Sequence, residues 1–136
     1  MRFTYAADAS AHSADRVRRS TAEHVNHRID RKTQANLARF GDSDRASIEA
    51  RVRELDLEWD VERILEVNAS TLALSGLVLG LTVNKKWLAV PAIVLPFLLQ
   101  HGVQGWCPPL PVLRRLGVRS RGEIDAEKFA LLRRLE

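Results

Sequence analysis

The chain has 136 residues, with 21 Lys+Arg against 17 Asp+Glu, a net charge of +4 and one cysteine. That length supplies one modest core and excludes most multidomain enzymes, and a lone cysteine excludes an intrachain disulfide and suits a reducing compartment. The mean hydropathy of −0.18 resembles that of a soluble protein, yet residues 67–84 and 87–113 carry no charge and only Lys85 and Lys86 separate them.

Residues 1–66 read as a charged helical arm. Residues 1–14 contain no apolar stretch long enough for a cleavable signal, so the first span is expected to act as its own insertion signal. Val17, Val25, Ile29 and Leu37 recur at four-residue steps or multiples, with Phe40 one turn beyond Leu37. This stripe predicts a helix from about Ser13 to Phe40, stopped at Gly41. His24 and His27 lie close to Glu23 and Asp30, but no second ligand pair appears elsewhere, so they read as solvated surface and no metal is expected.

Asp42, Ser43 and Asp44 supply caps for a following helix that carries Ile48, Val52, Leu55 and Trp59 on one face. That helix is expected to continue, with a kink between residues 56 and 60, through Ile64 and Leu65 into a membrane. Residues 1–41 balance at +4 and residues 42–66 at −5, which favours antiparallel packing of the two arms or contact with another copy. Glu62 and Glu66, one turn apart, are expected to pair with Arg63 or solvent.

As a helix, residues 67–84 reach about 27 Å, close to a hydrocarbon core of about 30 Å. Neither apolar run has a polar face, so each needs burial all round. The roughly 90 mostly charged residues outside them are too few to bury two such helices. The reading is therefore all-α: a two-span transmembrane hairpin over residues 67–106, with spans at about 67–83 and 87–103. Trp59, Trp87 and Trp106 stand where interfacial anchors belong. Ala69, Ala73, Gly76 and Gly80 form a small-residue stripe containing a GxxxG element, suited to close packing against the partner helix or another copy.

Arg51, Arg53 and Arg63 precede the first span, and Arg114, Arg115, Arg119 and Arg121 follow the second, against two lysines in the turn. This bias predicts both termini in the cytoplasm. With the turn centred near Lys85, Asn68, Ser70 and Thr71 come to a similar depth as Gln100, His101 and Gln104. Interhelical hydrogen bonding is the simpler use of these groups, and a ligand, proton or metal role for His101 is the alternative.

Pro96 predicts a bend in the second span. Pro108, Pro109 and Pro111 predict a stiff extended exit over the start of residues 107–136. Between them the break at Gly105 and Trp106 holds Cys107 at the inner interface, where Arg114 and Arg115 are candidates for lowering its thiol pKa. Ser120 and Glu123 match a capping box. The following Ile124, Phe129, Leu131, Leu132 and Leu135 predict a short amphipathic helix suited to an anionic membrane surface.

Leu77 to Gly117, with a Gly-rich first span, a short polar turn, an aromatic start to the second span and a GxCP exit followed by LxxLG, resembles the YgaP-like inner-membrane transmembrane domain. The lead-in from Glu58 to Ala69 and the helix from Glu123 to Leu135 are similar to those of a stand-alone bacterial subgroup. The resemblance implies a bacterial inner-membrane hairpin, often dimeric through its spans. Some relatives fuse this domain to a rhodanese sulfurtransferase, which this chain does not contain.

No phosphate loop, HExxH, nucleophile elbow or paired-carboxylate site is found, so neither an enzyme nor a cofactor is expected. No basic stripe interleaved with stacking aromatics points to nucleic acid. The expected function is a non-catalytic, membrane-anchored interaction or accessory subunit, oligomeric through the Gly76/Gly80 face, with the lipid bilayer and a homo-oligomer or larger membrane complex as partners. The alternatives are a Cys107 thiol that handles persulfide, and a small-solute or ion pathway enclosed by an oligomer.

Overall fold

The computed structural model describes residues 16–136, and within them all regular structure is helical. The start of the helix expected from Ser13, and the segment 1–14 judged to lack a signal, lie outside the described residues. Helices α1 (Arg16–Arg19), α2 (Glu23–Gly41) and α3 (Arg45–Leu57) lead into the long α4 (Val61–Thr82). A 3₁₀ turn (Lys85–Leu88), α5 (Ala89–Gln104), α6 (Leu110–Arg115) and α7 (Arg121–Arg133) complete the chain.

The arm helix expected to be continuous is broken at Ala22, whose ψ of 138° is extended. The last turn before the break is tightened, with the Thr21 amide donating to the Arg18 carbonyl at 3.1 Å, and the Thr21 hydroxyl donates to the Val17 carbonyl at 2.5 Å. Gly41 does end α2. The kink expected between residues 56 and 60 is a full interruption, with Glu58 and Asp60 both extended. Asp60 caps α4 by accepting the Arg63 amide at 2.8 Å, and the orphan Val61 amide donates to the Arg119 carbonyl at 3.0 Å.

Helices α4 and α5 form an antiparallel hairpin. Within the most apolar 18-residue stretch of each of the two hairpin arms, 17% and 6% of residues are buried. The core helix of a soluble protein is mostly buried, so these two are long, apolar and uncovered. Gly76 and Gly80 are buried within the hairpin. A Cβ at Gly76 would lie 2.6 Å from Pro91 Cδ and 2.7 Å from Val90 Cβ, and one at Gly80 would lie 2.5 Å from Leu88 Cδ2. The close approach is therefore intramolecular, and the face expected to join copies is occupied by the chain's own second helix.

The exit after α5 is not extended. Pro109 and Pro111 start α6 instead, because proline's missing N–H and fixed φ are tolerated in a first helical turn. The capping box at Ser120 and Glu123 is present. The helix it opens, α7, packs on the arm: Ile124 and Leu131 join Leu37, Ile48 and Leu55 in one buried cluster. The apolar face expected to lie on a membrane surface closes the arm core, although Phe129 remains exposed.

Charge pairing between the two arms is likewise routed through α7. Buried Glu123 accepts two bonds from Arg114, at 2.7 and 2.6 Å, and one from Arg18 at 2.8 Å. Arg18 also forms a bidentate pair with Asp30 at 2.7 and 2.9 Å. One turn along α7, buried Glu127 accepts from Arg51 at 3.0 Å and from Arg119, which also pairs with Glu58. A second buried cluster of Val17, Val61, Leu65, Cys107 and Leu110 joins this arm to the base of the hairpin.

Candidate functional site

The base of the hairpin is where the chain's polar and apolar parts meet. Gly105 ends α5 in the left-handed region, with φ of 77°, and its amide donates to the His101 carbonyl at 2.7 Å. A side chain is excluded there twice over, because a Cβ would also lie 2.5 Å from Arg16 Cβ. Arg16 in turn donates to the Gly102 carbonyl. These contacts hold the last turn of α5 against α1.

His101 is 3% exposed. Its Nε2 lies 2.9 Å from both carboxylate oxygens of Glu62 in the first turn of α4. Glu62 is therefore partnered across the hairpin, in place of the Arg63 or solvent contact expected for it. Among the described residues the other ring nitrogen, Nδ1, has no hydrogen-bond partner, and it is buried. Beside this pair a cavity of about 440 Å³ opens between α4, α5 and the exit, lined by Leu65, Asn68, Ala69, Phe97, His101 and Cys107 among others.

The remaining residues of the expected polar cluster stand differently. Gln100 donates to Gln104 at 3.3 Å, along its own helix, and the Thr71 hydroxyl donates to the Val67 carbonyl at 2.7 Å. Asn68 lines the cavity. The cross-hairpin bond thus comes from Glu62, a residue outside the charge-free run.

Trp59 and Trp106 stand at the hairpin base and Trp87 at its tip, all three exposed. The Arg63 guanidinium lies 4.3 Å from the centre of the Trp59 ring, within range for a cation–π contact. Ala69 and Ala73 are half-buried along the stripe that Gly76 and Gly80 complete. In α2, His27 lies 3.7 Å from Glu23 on an exposed surface. Among the described residues no group of three or more His, Cys, Asp or Glu side chains converges on a metal position.

Cys107 is buried in the cluster that joins arm to hairpin. Burial pushes its thiol above the ordinary value; the Leu110 backbone pulls the other way and the Glu62 charge raises it further. Arg114, one of the cations expected to activate it, is committed to Glu123. Each unit of upward shift removes about tenfold of the thiolate at neutral pH. Burial and the raised pKa act in the same sense, so a soluble alkylating reagent is expected to modify folded Cys107 more slowly than the urea-denatured chain. Equal rates would show the thiol to be open and activated.

No family model, curated protein or solved structure matches the chain.

Proposed function

We propose that this chain is a non-catalytic, two-span protein of a bacterial inner membrane that holds a compact helical unit at the cytoplasmic surface as an interaction or accessory module. The observation that carries this reading is the uncovered apolar surface of the hairpin. Leu72, Leu74, Val78 and Leu81 on α4, and Ile93, Leu95, Phe97 and Leu99 on α5, are all exposed. An apolar surface of that extent needs a lipid or protein cover.

The orientation rests on seven flanking arginines against two lysines at the tip. The bacterial inner membrane is what the resemblance over residues 77–117 implies. Because the Gly76/Gly80 face is filled from within, a homo-oligomer or larger complex would engage the outer faces of α4 and α5 or the charged surface of the arm. Buried Cys107 supplies no support for the sulfur-handling alternative.

Alkaline carbonate washing of native membranes, followed by native mass measurement of the detergent-solubilised protein, tests the reading. The chain is expected to stay with the membrane pellet and to migrate in a complex larger than one copy. Release by carbonate would refute the spanning hairpin, and a bare monomer would refute the assembly role.

A further inference from the structure

We infer that the exposed face of α6 lies in the lipid headgroup layer at the hairpin base and that Arg16, Arg19 and Arg115 bind anionic phospholipid there. The inference rests on the spanning reading and adds to it a lipid class and a second element in contact with the bilayer.

The argument begins with the faces of α6. Leu110 and Arg114, four residues apart, are buried against the arm: Leu110 packs with Val17, and Arg114 bonds Thr21, Asn26 and Glu123. Pro109 and Leu113 line the same cavity as Leu72 on α4 and Phe97 on α5, so this side of α6 faces the hairpin. Val112 and Leu116 follow Pro109 and Leu113 by three residues, about 60° round the helix, and are 60% and 75% exposed. The uncovered apolar surface of the hairpin therefore continues past the end of α5 onto α6. Only residues 105–109 separate the two helices, and the Leu110 amide bonds back to the Cys107 carbonyl at 3.0 Å. Helix α6 thus starts where the span stops, at the depth of the headgroups.

Charge selects among lipids. Arg16 donates to the Gly102 carbonyl, which places its guanidinium at the last turn of α5. Arg19 lies one turn further along α1, and Ser20 beside it donates to the Gln104 carbonyl at 3.5 Å. Arg115 stands on the flank of the apolar face, three residues after Val112. All three arginines are exposed, and among the described residues none of them pairs with a carboxylate. Their sequence neighbours Arg18 and Arg114 are buried and held by Asp30 and Glu123. On α4, Glu62 is engaged by His101 and Glu66 is an exposed carboxylate, so the cationic side of the base is that of α1 and α6. Unpaired cations beside an apolar face in the headgroup layer attract lipids of net negative charge more than zwitterionic ones.

The full chain carrying Leu116→Cys, labelled in the folded state with the fluorophore NBD and placed in phosphatidylcholine nanodiscs, tests this. Residue 116 is exposed, so the core is left intact, and buried Cys107 reacts slowly. The label is expected to be quenched by a phosphatidylcholine bearing a nitroxide near its headgroup and to be shielded from soluble iodide. The same nitroxide on phosphatidylglycerol, at equal mole fraction, is expected to quench at least about twofold more strongly. High salt should reduce that preference. Arg19→Gln combined with Arg115→Gln should remove most of it, with quenching by the phosphatidylcholine probe unchanged.

Release by carbonate sinks the spanning reading itself. A chain that stays in the membrane overturns only this inference if iodide quenches the label and the lipid probes do not, or if the label is shielded from both and a protein surface covers α6. It is equally overturned if the two lipids quench alike, or if the double arginine variant keeps the full preference for phosphatidylglycerol.

Discussion

Glu123→Ala is expected to destabilise the helical arm by about 3–5 kcal/mol, the range for removing one partner of a buried ion pair. The substitution leaves the Arg114 guanidinium, 1% exposed, without a carboxylate and takes one of two carboxylates from the 3%-exposed Arg18, which keeps Asp30. It also removes the carboxylate that accepts the Ser120 amide at 2.9 Å, so one half of the capping box of α7 is lost while the Ser120 hydroxyl still accepts the amide of residue 123. A loss of that size is a large share of the 5–15 kcal/mol that holds a typical domain together. Urea unfolding of the detergent-solubilised chain, followed by circular dichroism, measures it. Glu49→Ala is the control: its partner Arg45 is exposed, and removing such a pair costs about 0.5 kcal/mol or less.

The same carboxylate gives the arm an acid limit. Burial alone would raise the Glu123 pKa, but Arg114, the Ser120 amide and Arg18 outweigh it and hold the group below its ordinary 4.5. A carboxyl depressed in the folded state contributes its full stability above the unfolded value and loses it as pH falls through the folded one. The urea midpoint of the parent chain is therefore expected to hold steady above pH 4.5 and to decline below it. In Glu123→Gln that part of the decline should be absent. An acid profile identical in the two proteins would show that Glu123 is not the group responsible.

Gly76→Leu is expected to have the other large effect, and it separates two uses of the small-residue stripe. A Cβ at this position meets the Pro91 ring, Val90 Cβ at 2.7 Å and the Trp87 carbonyl oxygen at 3.1 Å. None of these is the free end of a flexible side chain, so the helices must move apart. At Gly80 the nearest atoms belong to the end of the Leu88 side chain, which can turn aside, and the effect should be smaller. Overpacking of this kind costs about 1–3 kcal/mol, and leucine, larger than a single methyl, should reach the upper end. Thermal unfolding should therefore fall in the order parent, Gly80→Leu, Gly76→Leu, while the native mass stays constant. A falling mass with unchanged unfolding would place the stripe between copies instead.

The hairpin was legible because its signal is local. Two charge-free runs, a lysine pair between them and glycines at a helical spacing are all written within residues 67–113. The cap at Ser120 and the stop at Gly41 were legible for the same reason. The arm core was not, because Ile124 and Leu131 meet Leu37, Ile48 and Leu55 through tertiary contacts that no periodicity encodes. Arginines counted as a flanking charge bias proved to be structural: Arg114 and Arg119 are buried partners of Glu123 and Glu127. At the candidate site His101 was singled out by its depth, but Glu62 was assigned to Arg63 or solvent, since sequence distance from the turn does not set how far a long side chain reaches. Two sequence signals for Glu62 were available and unused: a carboxylate in the first turn of the helix, and one turn before the apolar stretch.

The bonds that close the arm span long stretches of chain, 61 residues between Glu58 and Arg119 and 105 between Arg18 and Glu123. For an open chain, bringing the ends of a 61-residue loop together carries an entropic penalty of roughly 4 kcal/mol, apart from a constant. A closed hairpin removes most of it, because α4 packed against α5 holds residues 58 and 119 at the same end. The two halves of the molecule are thus coupled through chain entropy as well as through shared contacts. Anything that parts the helices, even at the distal tip, lowers the effective concentration at which α7 finds α2 and α3, and the arm loosens without a single one of its own residues being touched.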